Sequence, residues 1–205
     1  MSRRGGVALL LIIGLVLAGC APEPGDAGPG EATTMGAGDP SAEASAPDAS
    51  APTAPAIVVP AACGEVLSDA EISELTGAPQ YLAPTVPSVE TLPGPLARET
   101  AAGADEALAC LWWVEDVWES TLPLFVFRTS AAAQSALVDG LRTSTLYTET
   151  TIDGELAFTS TFSDELFINQ LVYIFVDDVW IALVAPVEPD VARAVAGGAL
   201  TAITG

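Results

Sequence analysis

The chain has 205 residues, with 27 acidic residues against six basic ones, no histidine and a formal net charge of −21; all six basic residues are arginine. So acidic a surface repels phosphate backbones and anionic headgroups, which excludes nucleic acid as a partner and a basic patch as the means of membrane attachment. With neither histidine nor lysine, the commonest general bases, Schiff-base chemistry and imidazole metal ligation are excluded too.

The first twenty residues fall into three parts. Arg3 and Arg4 give a positive start, Val7 to Leu17 is apolar apart from Gly14, and Ala18 and Gly19 lead to Cys20. That order describes an export signal. Eleven apolar residues rise about 17 Å as a helix, well short of a hydrocarbon core of roughly 30 Å. The ending "LAGC" resembles the lipobox of bacterial lipoproteins. The resemblance implies cleavage between Gly19 and Cys20, a diacylglycerol on the Cys20 thiol and acylation of the new amino terminus. The protein would then sit on the outer face of the cell membrane, extracytoplasmic, because two acyl chains at ~0.8 kcal/mol per buried CH₂ hold stably where one does not. The competing reading is an ordinary secretory signal, or an uncleaved anchor, with a chance cysteine.

Residues 20–60 are almost entirely Ala, Pro, Gly, Ser, Thr, Asp and Glu. Too little apolar surface exists there to offset chain entropy, so the segment is expected to be a disordered acidic tether. Its r.m.s. span would be roughly 30–36 Å.

Residues 61–205 are expected to form one domain around one core. Once Cys20 is assigned to lipid, Cys63 and Cys110 remain as an even pair, and in an exported chain they should form a disulfide. "LSDAEISELTG" predicts a helix, with Ser68 and Glu71 as a capping box, Leu67 stapled onto Ile72, and Gly77 and Pro79 as the stop. Residues 78–107 hold five prolines and little periodicity, which predicts an irregular stretch.

From Cys110 onward the pattern is β-prone: "ALACLWWVE", "LPLFVFRT", "TLYTETTI", "ELAFTSTFS", "FINQLVYIFV" and "VWIALVA". Asp153-Gly154 and Asp177-Asp178 are placed as hairpin turns. "SAAAQSALVDGLRT", capped by Ser130, and "PDVARAVAGGALTAI", opened by Pro189, complete three helices. The expectation is an α+β domain: a mainly antiparallel sheet of about five or six strands with three helices packed to one side.

The arrangement "CGEVLSDAEISELTG … CLWW", downstream of the lipobox and tether, is similar to a group of actinobacterial cell-envelope lipoproteins of unknown function. There, a cysteine before a capped helix pairs with one in an early strand. The resemblance covers roughly residues 63–205 and implies the disulfide and a surface location. It carries over no catalytic residue.

"VEDVW" at 114–118 recurs as "VDDVW" at 176–180. If the two turns met, Glu115, Asp116, Asp177 and Asp178 would offer hard oxygen ligands to Ca²⁺. Trp118 and Trp180 beside them would suggest a sugar surface. The plainer reading makes both of them acidic hairpin turns, each tryptophan starting a strand and facing the core, and the spacing matches no calcium loop. The plainer reading is adopted, with no metal or cofactor expected.

Strand alternation sets Cys110, Trp112 and Val114 on one face and Leu111 and Trp113 on the other. Trp112 is then the core member beside the disulfide, and Trp113 must be covered by a helix or loop, or be exposed.

No G-x-S-x-G, P-loop or G-x-G-x-x-G motif is present. The functional expectation is a non-catalytic binding or interaction module of the cell envelope. Its partner would be an envelope protein, a wall component or a small apolar molecule. One alternative is a carrier of a lipid or other hydrophobic ligand, with a sheet–helix cavity roofed by residues 78–107. A second is a carboxylate-based glycan hydrolase, which needs two carboxylates about 5–10 Å apart. Mass spectrometry of the native protein should find residues 1–19 missing and acyl mass on Cys20; an unmodified thiol there would sink the anchor.

Overall fold

A computed structural model describes residues 57–115, 117–163 and 166–205, with the backbone alone for 118 and 119. The expected signal peptide, the Gly19–Cys20 cleavage position and most of the tether lie outside the described residues. So do Asp116 and the side chain of Trp118.

The capped segment folds as the sequence predicts. Helix α1 (Asp69–Thr76) starts at Ser68, whose main-chain N–H donates to Glu71 Oε2 at 2.8 Å, while Glu71 N–H donates back to Ser68 Oγ at 3.3 Å. The Ser68 hydroxyl, donating to Glu71 Oε2 at 2.7 Å, and then the Ser68 main-chain N–H hold the Glu71 carboxyl below its usual range. Leu67 and Ile72 are both buried, and Gly77 closes the helix at φ 70, a left-handed conformation that glycine adopts without a Cβ clash.

The six expected strands are present, together with a short one inside the stretch expected to be irregular. In chain order they are β1 (Tyr81–Leu82), β2 (Glu106–Val114), β3 (Val117–Arg128), β4 (Thr148–Ile152), β5 (Glu155–Ser163), β6 (Ile168–Val176) and β7 (Val179–Ala185). They form one seven-stranded sheet, ordered β1-β2-β3-β7-β6-β5-β4, in which every neighbouring pair is antiparallel. Residues 78–107 also supply helix α2 (Pro95–Ala102) and a 3₁₀ turn at Val89–Thr91. Pro95 sits at the start of α2, where its missing N–H costs nothing and its φ is already helical. Helix α3 (Ala131–Thr143) is capped by Ser130 Oγ on Ala133 N–H at 3.3 Å, and α4 (Pro189–Thr204) closes the chain. The class is therefore α+β, with seven strands and four α-helices where about six strands and three helices are expected.

The helices do not all lie to one side, which corrects the expected layering. Cys110, Trp112, Leu124, Val172, Ile174, Ile181 and Leu183 pack with Ile72 of α1 and with Val195, Ala199 and Leu200 of α4. Phe125, Phe127, Phe158, Tyr173, Phe175 and Trp180 pack on the opposite face with Ala97 and Ala101 of α2 and Leu137 and Leu141 of α3. The cause is legible in the central strands. All seven residues of β7 are buried, and so are all but the first of β6. A strand apolar on both faces must be covered on both.

Two further features tie the edges down. Cys63 and Cys110 form the expected disulfide, with Cα atoms 5.6 Å apart. Residues 57–60, expected to belong to the tether, instead join the domain. Ile57 and Val59 pack against the α1–α4 core, and Arg128 Nη2 donates to the Ile57 carbonyl at 2.6 Å. Met35 and Ile57 to Val59 are the large aliphatics of the expected tether; hydrophobic burial draws in Ile57 and Val59, while Val58 stays exposed.

Replacing both cysteines by serine removes a cross-link spanning 47 positions. The loop-entropy model assigns such a link on the order of 4 kcal/mol, and at about 2–4 °C per kcal/mol Tm should fall by roughly 10 °C. An unchanged melting temperature would show that the bond does not stabilise the fold.

Candidate functional site

The sheet interior offers little room. Trp180 lies at the centre of the α2–α3 face, its ring centroid 4.9 Å from Phe127, 5.0 Å from Tyr173 and 6.2 Å from Phe175. Leu92, Ala97 and Ala101 occupy the space that a carrier would keep open beneath residues 78–107. Burial pushes the hydroxyls of Tyr147 and Tyr173 upward, so both stay protonated and cannot serve as bases at neutral pH.

The strand register separates the two acidic turns. Arg128, the last residue of β3, pairs with Val179, which places Asp177-Asp178 beside it. The turn that holds Glu115 precedes Val117, the first residue of β3. Eleven residue steps at about 3.3 Å put the two turns roughly 36 Å apart, at opposite ends of the strand. Glu115 is thereby held far from Asp177 and Asp178, so these three do not share one site for Ca²⁺, and Asp116 lies outside the described residues. Asp177 is an exposed turn residue at φ 49, and Asp178 Oδ2 accepts from Arg128 Nη1 at 2.5 Å. That bond is the main cause of the raised Arg128 pKa, helped by Glu106 at 3.5 Å. Trp180 is fully buried, as the turn reading requires. Among the described residues no group of three or more His, Cys, Asp and Glu is placed to hold a metal ion.

The tryptophan pair divides by strand alternation. Trp112 is fully buried on the face of Cys110, whereas Trp113 is half-buried on the other. Where α2 and α3 stop covering that face, Trp113 and Leu111 of β2 and Thr121 of β3 form the floor of an open pocket of about 300 Å³, walled by Ala83, Pro84 and Thr85. The wall is held in place: Ala83 N–H donates to the Leu111 carbonyl at 2.7 Å, and Leu82 N–H donates to Asp69 Oδ1 at 3.0 Å. Tyr81 pairs with Trp113 across the strands. Tyr81, Leu82, Val86 and Val117, from the same segments, are exposed. Among the described residues no charged side chain lines the pocket, and Thr85 and Thr121 bring its hydroxyls.

Such a lining takes an uncharged, mainly apolar ligand or one side chain of a partner, with the indole and the proline ring as flat contact surfaces. The adjacent "WW" marks an aromatic on each face of β2. What the sequence does not reveal is that the Pro-rich segment stands beside Trp113 and leaves a gap. No known family model, no curated protein and no solved structure matches this chain.

Millimolar Ca²⁺ should leave Tm within about 1 °C of its value in chelator, since a ligand stabilises only by binding the folded state. A rise of several degrees would reveal a calcium site elsewhere on the acidic surface.

Proposed function

We propose that this protein is a lipid-anchored, extracytoplasmic binding module of a bacterial cell envelope, non-catalytic, with the Trp113 pocket as its ligand-contacting surface. The observation that carries this reading is Trp113 itself. A large aromatic near the end of β2, held half-buried over a pocket whose described lining is uncharged, is an apolar surface left uncovered at a fixed place.

The position of the pocket suits an anchored protein. Ile57, the first described residue, lies beside Arg128, and Trp113 pairs with Thr121, seven steps or roughly 23 Å further back along β3. The acyl chains on Cys20 would supply the membrane affinity that so acidic a surface cannot.

The carrier reading is the weaker one, because close-packed side chains fill the space between the sheet and α2. The hydrolase reading is weakened by ion pairing among the described carboxylates. The carboxylates of Glu90, Glu106, Glu149, Asp178 and Asp190 are each engaged by an arginine.

A neutral apolar dye such as Nile red should bind the full chain, and Trp113→Ala should weaken that binding at least tenfold, on the order of 1.4 kcal/mol. Tm should change little, because the indole is not in the packed core. Equal affinity in the variant would overturn the assignment of the pocket.

A further inference from the structure

The two edges of the sheet are protected unequally. At the β2 edge, β1 covers Trp112 and Trp113, Ala83 adds a main-chain hydrogen bond to Leu111, and the disulfide holds the 63–65 turn alongside. At the other edge β4 has five residues and β5 has nine. Their register runs from Ile152↔Glu155 to Thr148↔Thr159 and stops there. Ser160 to Ser163 pair with β6 on one side and, among the described residues, with no strand on the other.

The turn fixes which main-chain groups face outward. Asp153 and Gly154 both have positive φ, the signature of a type I′ hairpin, so Ile152↔Glu155 is a hydrogen-bonded pair. Every second pair repeats it, through Thr150↔Ala157 and Thr148↔Thr159. The next β5 residues to direct N–H and C=O away from the sheet are Thr161 and Ser163. Natural edges carry proline, charge or a bulge against strand addition, and "STFS" at 160–163 carries none of these.

Beside this edge lie two clefts, of about 190 and 580 Å³, which share Thr161, Gln170 and Pro189. Gln170 is buried, with its Oε1 accepting from Thr161 Oγ1 at 2.8 Å. Ile168, Val187 and Val191 give the larger cleft an apolar lining, and Ile168 is among the most exposed large apolar side chains of the domain.

We infer that the open edge of β5 docks an extended, basic segment of another protein, which adds to the sheet as a further strand. Its main chain meets Thr161 and Ser163, and its alternate side chains drop into the two clefts. Charge selects the occupant. All four arginines beyond residue 57 are in ion pairs, Arg193 of the smaller cleft with Asp190, and exposed Glu188 lines the larger cleft. A second copy carries the same excess of acid, and residues 20–56 hold acidic residues and no basic one, so neither complements the edge. This surface is separate from the Trp113 pocket and does not depend on it.

The test uses the full chain and a short capped peptide of alternating lysine and valine. Controls carry glutamate in place of lysine, or a central proline. The lysine peptide should bind at least about tenfold more tightly than either control, and more weakly as salt rises. Bound peptide should slow amide exchange at Thr161 and Ser163 while leaving residues 83–86 unchanged. Thr161→Pro should abolish binding. Ile168→Ser, a change at an exposed side chain, should weaken it severalfold and decides the matter if the proline variant fails to fold. Equal binding of the lysine and glutamate peptides, or protection confined to other segments, would overturn the proposal. Protection of Thr161 and Ser163 that grows with protein concentration and needs no peptide would overturn it in favour of a second copy.

Discussion

The structure depends on the burial of β6 and β7 from both sides. A strand such as "VWIALVA" has no face that water tolerates, so stability requires a layer above and a layer below. Helices α1 and α4 supply one layer and α2 and α3 the other. Trp180 shows the consequence most directly. It sits one residue into β7, faces the α2–α3 layer, and gathers Phe127, Tyr173 and Phe175 around it at centroid distances of 4.9–6.2 Å. Aromatic pairs of this kind contribute ~0.5–1.5 kcal/mol each beyond the area they bury.

A sheet filled on both faces leaves its margins for recognition. Both surfaces singled out here arise where coverage ends. The Trp113 pocket lies where α2 and α3 no longer reach across β2 and β3. The β5 edge lies where β4 is four residues too short to protect it. Neither requires a strained backbone or a shifted titration. The described lining of the Trp113 pocket holds no charged residue, whereas Glu188 and Arg193 line the clefts beside the β5 edge.

The polar contacts do different work. Arg128 is held between Asp178, Glu106 and the Ile57 carbonyl, joining the end of β3, the β6–β7 turn and the first described residues of the chain. Arg142 and Glu149 make a two-pronged contact from the end of α3 to β4, with distances of 2.9 and 3.0 Å, and that contact holds the Glu149 carboxyl below its usual range. Arg193 pairs with Asp190 within α4, whereas Arg98, Arg128 and Arg142 sit at junctions between elements. The disulfide does the same covalently, fixing residues 63–65 to β2.

Local chemistry was legible from residues alone. Ser68 with Glu71 marks a helix start, Gly77 its stop, Asp153-Gly154 a hairpin, and alternation divides Trp112 from Trp113. The odd cysteine count, on the reading that assigns Cys20 to lipid, left Cys63 and Cys110 to pair. These signals act over a few residues, through hydrogen-bond geometry and period, so a single sequence contains them. The layering was also written there, in the unbroken apolar runs of β6 and β7, which must be covered on both faces. Only the tertiary structure could decide that the acidic turns lie at opposite ends of β3, that a Pro-rich segment folds into a strand and a helix, and that Trp113 keeps a gap beside it. Those outcomes depend on strand register and order, which are set by burial summed over the whole sheet and by no local run of residues.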